Sequence, residues 1–219
     1  MKTDFPQAVL FDMDGTLVDS EIVWDVGIGE LAGHLGGSLD PDVRARMVGT
    51  NEEASVRLLL ESLDLPLETV PEHQHWLRTR MKELFSQGVD WKPGARELLL
   101  EARAAGVPTA LVTSTPRELS DIVIAQLGPG NFDLTLCGDE VAQRKPHPEP
   151  YLTAAAKLGV DITRSVVLED SASGVSSALA AGAVTLAVPS EVELPEEIEV
   201  TRLKTLDGVD LAYLQGLRD

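Results

Sequence analysis

Two aspartates stand one residue apart in Phe11-Asp12-Met13-Asp14-Gly15-Thr16. Apolar Phe11 and Met13 hold that segment against a core, so both carboxylates point into one crevice or sit solvated at its lip. By itself, Asp14-Gly15 also fits the corner of a turn. A second acidic pair, Glu169-Asp170, follows another apolar run. Between them lie Thr113 in Thr113-Ser114-Thr115-Pro116-Arg117-Glu118 and Lys145 in Arg144-Lys145-Pro146-His147-Pro148. Thr115, Pro116 and Glu118 match a helix capping box with proline at its first position, which gives Thr115 a structural task and leaves the Thr113 hydroxyl free. Taken singly, Lys145 reads as a solvated surface lysine. Convergence of the four acids changes that reading. Two like charges about 4 Å apart repel by roughly 4 kcal/mol at an effective dielectric near 20, so such a cluster needs a cation. The set holds no Cys or His and suits a hard ion; Mg²⁺ favours a few carboxylates, waters and a substrate phosphate. A phosphate group is then the natural ligand, with Lys145, the Thr113 hydroxyl, loop N–H groups and a helix N-terminus on its other oxygens.

The elements that must carry these residues are legible as short apolar runs at 8–11, 107–112, 134–137, 165–168 and 184–188, each read as a buried strand. Helical stretches at 94–105, 116–127, 148–158 and 173–181 end at Gly106, Gly128, Gly159 and Gly182, the residue type that closes a last turn in the left-handed conformation. Strand and helix alternating in this way predict an α/β fold, a doubly wound parallel sheet with a Rossmann-like core. The alternation breaks at 20–89, where helical patterning at 21–35, 41–48, 52–63 and 72–85 predicts an inserted all-helical cap domain. The core domain is then 1–19 with 90–219. Both joints fall at the carboxyl edge of the sheet, where open α/β sheets bind ligands.

With these residues in this order, the chain resembles the haloacid dehalogenase superfamily, in its helical-cap phosphatase and β-phosphoglucomutase-like branch. The likeness spans nearly the whole chain and rests on four ordered motifs: Asp12 to Thr16, Thr113, Lys145 with Pro146, and Glu169-Asp170. It implies Asp12 as nucleophile, Asp14 as general acid and base, and Thr113, Ser114 and Lys145 as phosphate holders. It further implies Mg²⁺ bound by Asp12, the Asp14 main-chain carbonyl, Asp170 and Glu169, the last directly or through water. The reaction implied is hydrolysis of a small phosphorylated metabolite, a sugar phosphate, through an aspartyl-phosphate. A phosphosugar mutase on the same core is the alternative, disfavoured because Trp24 stands where such mutases carry a His and the loop Gly49-Thr50-Asn51-Glu52-Glu53 carries no Arg. Arg78 or Arg80 would have to supply a distal-phosphate cation instead. Dehalogenation needs neither the metal nor Asp14. A non-catalytic metabolite-binding protein would be favoured by a missing nucleophile, and none is missing.

A formal net charge of −18 without a Lys/Arg block disfavours nucleic acid and anionic membrane surfaces. No apolar run approaches the ~20 residues of a membrane span and the first seven residues lack a signal-like apolar stretch, so a cytoplasmic protein, a monomer or weak dimer, is expected. Cys137, the single cysteine, is read as a buried inert thiol. Gly27 to Ala32 matches a dinucleotide pattern but lies inside a helical stretch, and His73 and His75 fall on different helix faces, against a zinc site. Trp24 reads as packing within the cap, with a substrate contact as the other option for it and Glu21.

Overall fold

Strand β1 (Val9–Phe11) buries both of its faces: Val9 and Phe11 pack into one apolar cluster, Leu10 with the preceding Ala8 into another. That period-two split across a strand without a solvent face marks a sheet covered on both sides. The computed structural model describes residues 5–188 and 193–218; residues 1–4, on which part of the N-terminal reading falls, lie outside that set. β1 pairs in parallel with β2 (Thr109–Val112) and β4 (Val166–Glu169), and β2 with β3 (Leu134–Leu136). β4 pairs with β5 (Val184–Ala187), and β5 with β6 (Thr201–Arg202), for an order β3-β2-β1-β4-β5-β6. The five expected strands are present. The sixth, two exposed residues without apolar pattern, gave no signal in the sequence.

Between β1 and β2 the described chain runs through α1 (Glu21–His34), α2 (Pro41–Met47), α3 (Glu52–Ser62) and α4 (Val70–Ser86), with no named strand among them. α2 starts where the Asp40 side chain accepts from the Asp42 and Val43 N–H groups, and α3 where Asn51 accepts from that of Ala54. The two connections to the sheet run side by side: Asp19 N–H donates to the Asp90 carbonyl at 2.8 Å and Lys92 N–H to that of Leu17 at 2.9 Å. Four further helices pack on the sheet or close the chain: α5 (Ala95–Ala104), α6 (Arg117–Leu127), α7 (Glu149–Leu158) and α8 (Ala172–Ala181), followed by the short α9 (Leu211–Gln215). α7 and α8 end on Gly159 and Gly182 in the left-handed conformation, as expected from their stop signals. No helix among the described residues is long and apolar enough to cross a membrane.

Candidate active site

Because β1 and β4 are central neighbours, the residues following them meet at the same edge. Asp12, Glu169 and Asp170 are buried, and each offers a carboxylate oxygen within 4.8 Å of the others. Lys145 enters the cluster from the loop before α7, with its side chain only 3% exposed. Its ammonium donates to Asp12 Oδ1 at 2.7 Å, Glu169 Oε1 at 2.6 Å and the Val112 carbonyl at 2.8 Å. All three N–H donors of the lysine are thereby used. Tyr151 of α7 supports the arrangement: its hydroxyl donates to Glu169 Oε1 at 2.6 Å, and its ring centroid lies 5.0 Å from the ammonium. Gly174 of α8 leaves room for Glu169, since a Cβ there would stand 1.9 Å from Oε1.

One lysine does not balance three buried acids. Burial pushes the Asp12 carboxyl well above its ordinary range; Lys145 opposes the shift, and Glu169 and Asp14 add to it. Asp170 is raised in the same way by burial, then by Asp12, Glu169 and Glu21. Burial works against the Lys145 ammonium, yet Asp12 and Glu169 outweigh it and hold its pKa above the ordinary value. Uncompensated negative charge on hard oxygen donors is the environment a divalent hard cation relieves, so these residues fit Mg²⁺.

Asp14 is surrounded differently. Its Oδ1 accepts from the Ser20 hydroxyl at 2.7 Å and the Trp24 indole N–H at 3.2 Å. Its Oδ2 accepts from the Thr115 hydroxyl at 2.7 Å and the Thr113 hydroxyl at 3.2 Å. Ser20 and Thr115 stand at or just before the N-termini of α1 and α6, where hydroxyls usually accept from the helix. Neither helix has a side-chain cap. The capping box expected at Thr115 is therefore corrected: a carboxylate is the stronger acceptor, and the hydroxyl turns to it. Glu118, its expected partner, instead binds Arg78 and Lys82 of α4.

Asp12, Asp14, Lys145 and Asp170 line one cavity with Ser114, and α1 to α3 contribute Glu21, Trp24, Arg44 and Glu52 to its other wall. That wall is seated closely on the core, for a Cβ on Gly49 would stand 2.4 Å from the Ser171 Cβ. A family model described as haloacid dehalogenase-like hydrolase matches residues 6–182. The chain belongs to the haloacid dehalogenase-like hydrolases. It is 33% identical over 177 residues to a phosphorylated carbohydrates phosphatase of Thermotoga maritima, covering 80% of this chain and 82% of that protein. It is 28% identical over 204 residues to hexitol phosphatase B of Escherichia coli K12, covering 84% and 83%. The crystal structure of CbbY from Rhodobacter sphaeroides in complex with phosphate superposes with a TM-score of 0.82 at 27% identity, covering 95% of this chain and 98% of that one. Family and relatives together make the protein a phosphomonoester hydrolase.

In this hydrolase the residues expected from the sequence stand in two groups. Asp12, Lys145, Glu169 and Asp170 form the charged cluster, while Thr113 sits on Asp14 and Ser114 on the cavity wall. Trp24 packs as expected, its ring meeting Phe85 edge-on with centroids 5.9 Å apart at 83°, and its N–H donates to Asp14, a partner not expected from the sequence. Sequence reasoning missed Tyr151, Arg44 and the part played by Ser20. Tyr151 is one apolar position of an amphipathic helix and carries no signal. Arg78 pairs with Glu52 and Glu118, Arg80 with Glu30 and Glu83, and neither lines the cavity. Cys137 is buried, and burial pushes its thiol up to about 11, consistent with an inert thiol.

Proposed function

We propose that the protein is a Mg²⁺-dependent phosphatase that hydrolyses a sugar phosphate through an aspartyl-phosphate on Asp12. The observation that carries this reading is the buried Asp12, Glu169 and Asp170 cluster with Lys145 as its internal cation. Asp12, Asp170 and the Asp14 main-chain carbonyl would hold the metal, with Glu169 directly or through water. Bound there, Mg²⁺ supplies charge neutralisation for the transferring phosphoryl group. Asp12 attacks phosphorus, the ester oxygen leaves, and water later attacks the aspartyl-phosphate, so that one hard displacement becomes two easier ones. Lys145 holds Asp12 Oδ1 in place and shares the phosphoryl charge, with the Thr113 and Ser114 loop beside it. Asp14 delivers a proton to the leaving oxygen and then removes one from the attacking water. To reach either oxygen its carboxyl must release one of its four donors. The helices at 20–89 act as a cap, because Ser20 and Trp24 bring that part of the chain onto Asp14. The relatives named for carbohydrate and hexitol phosphates favour a sugar phosphate over a polymer.

Arg44 gives the mutase reading its one support, as a cap cation in the cavity lining. Its guanidinium is already ion-paired with Asp25. The test is release of inorganic phosphate from a panel of sugar phosphates, phosphoglycolate and nucleotides, with and without Mg²⁺. Metal-dependent release from sugar phosphates is expected; full activity in excess chelator would contradict it. Supplying a sugar 1-phosphate with a trace of its bisphosphate separates the readings, since 6-phosphate isomer forming faster than free phosphate would establish a mutase.

A further inference from the structure

The first residue of α3 carries a carboxylate oxygen that no described group uses. Asn51 caps this helix, and Glu52, its next residue, places its charge at the helix N-terminus, where the dipole favours an anion. The Glu52 side chain is 3% exposed and lines the cavity that holds Asp12, Asp14 and Lys145. Arg78 Nε donates to its Oε2 at 2.7 Å, and Arg78 is tied in turn to Glu118 of α6 at 3.3 Å. Oε1 is buried without a hydrogen-bond partner among the described residues. An orphaned buried acceptor carries its full desolvation cost, so this position calls for a donor the chain does not supply. Glu53 beside it is exposed and pairs with Arg57, so only one of the two acids faces inward.

We propose that Glu52 is a specificity-determining residue whose Oε1 accepts a hydrogen bond from a hydroxyl on the unphosphorylated end of the substrate. The substrate class is therefore monophosphates of neutral polyols and sugars, rather than phosphoesters ending in a carboxylate or a second phosphate. This deepens the phosphatase reading and rests on it. The charge around the cavity argues the same way. Five carboxylates line it against two cations, Lys145 and Arg44. Lys145 spends its three donors within the catalytic cluster, Arg44 faces Asp25, and the positive charge behind Glu52 is shared with Glu118. An anionic tail meets Glu52 with little to offset the repulsion, whereas a hydroxyl supplies the missing donor.

Glu52→Gln inverts the signal at this one atom. Arg78 can only donate, so the amide oxygen turns to it and the NH₂ group takes the place of Oε1, a donor where an acceptor had been. The test compares kcat/KM on sorbitol 6-phosphate, phosphoglycolate and fructose 1,6-bisphosphate, with p-nitrophenyl phosphate as a reference without hydroxyl or anionic tail. Wild type should favour sorbitol 6-phosphate over phosphoglycolate by roughly 10- to 100-fold, the range of one hydrogen bond to a charged group. Glu52→Gln should shrink that ratio at least tenfold, mainly through KM. Glu52→Asp, which keeps the charge but withdraws the oxygen by one methylene, should slow sorbitol 6-phosphate without admitting phosphoglycolate. Glu118→Gln, which loosens Arg78 but leaves Oε1, should keep the wild-type ratio. Equal losses on all four substrates in Glu52→Gln, or a wild type that prefers the anionic tails, would overturn this inference while leaving the phosphatase reading intact. No turnover of any of the four by wild type would overturn both.

Discussion

Replacing Lys145 by Met keeps the length of its aliphatic stem against the Tyr151 ring and removes only the ammonium. Two of its contacts are to carboxylates, at 2.7 Å to Asp12 and 2.6 Å to Glu169, and the side chains involved are 3%, 9% and 0% exposed. Each pair gains about 6 kcal/mol of Coulomb energy at an effective dielectric near 20. Desolvation of the ammonium, several kcal/mol, offsets much of that. Deleting one partner of a buried pair leaves the others uncompensated, and the measured cost of doing so is about 3–5 kcal/mol. Uptake of a proton by one of the acids sets the upper limit. For a chain of this size that loss lowers Tm by on the order of 10 °C. The assay is urea denaturation in chelator at neutral pH, followed by the fluorescence of Trp24, Trp76 and Trp91. Added Mg²⁺ should restore part of the lost stability, because it supplies positive charge to the same oxygens. A loss below about 1 kcal/mol, the worth of an exposed pair, would refute the claim that Lys145 is the internal counterion of this cluster.

Thr115→Val deletes one donor to Asp14 while conserving shape, and should slow an alkyl phosphate by about tenfold while slowing an activated aryl phosphate less, since the aryl group leaves without a proton; equal losses would remove Asp14 from that step. Gly174→Ala drives a Cβ into the Glu169 carboxylate and should cost about 1–3 kcal/mol together with most activity, so a variant with wild-type Tm and rate would show that Glu169 is free to move. The pH dependence follows from Asp12 and Asp170, whose carboxyls are raised in the folded protein by burial and then by neighbouring charge. Above their ordinary value near 3.8 the folded chain binds more protons than the unfolded one, so their contribution is present at low pH and lost as pH rises through the raised folded values. Chelated protein should therefore lose stability from that source as pH rises towards neutrality, and saturating Mg²⁺ should abolish the trend; a slope indifferent to metal would contradict the assignment of these acids as its ligands.

Most of the sheet was readable because a parallel strand buried on both faces has to be largely apolar, and β1, β2, β4 and β5 are, with Thr109, Glu169 and Thr185 as their polar residues. β6 was invisible for the converse reason: two exposed residues at the sheet edge carry no hydrophobic pattern. The charged residues were legible because acids at the ends of two adjacent strands have to share one edge. What the sequence hid were choices between local and tertiary partners. Ser20 stands at the cap position of α1 and Thr115 one residue before that of α6, and only the fold reveals that the Asp14 carboxylate, six residues from one and 101 from the other, claims both hydroxyls. Glu52 is similar: the sequence shows it in a loop that carries no Arg, but its orphaned oxygen depends on where Arg78 comes to rest.

In the proposed reaction a carboxylate oxygen of Asp12 takes the phosphoryl group. The direct measurement is rapid acid quench of enzyme, Mg²⁺ and a radiolabelled sugar phosphate within the first turnover, followed by peptide mapping. A hydroxylamine-labile phosphate on the peptide containing Asp12, formed faster than free phosphate and absent from Asp12→Asn, is the predicted result. Free phosphate released at the full rate with no covalent label on that peptide would mean that water attacks the substrate directly, and would contradict it.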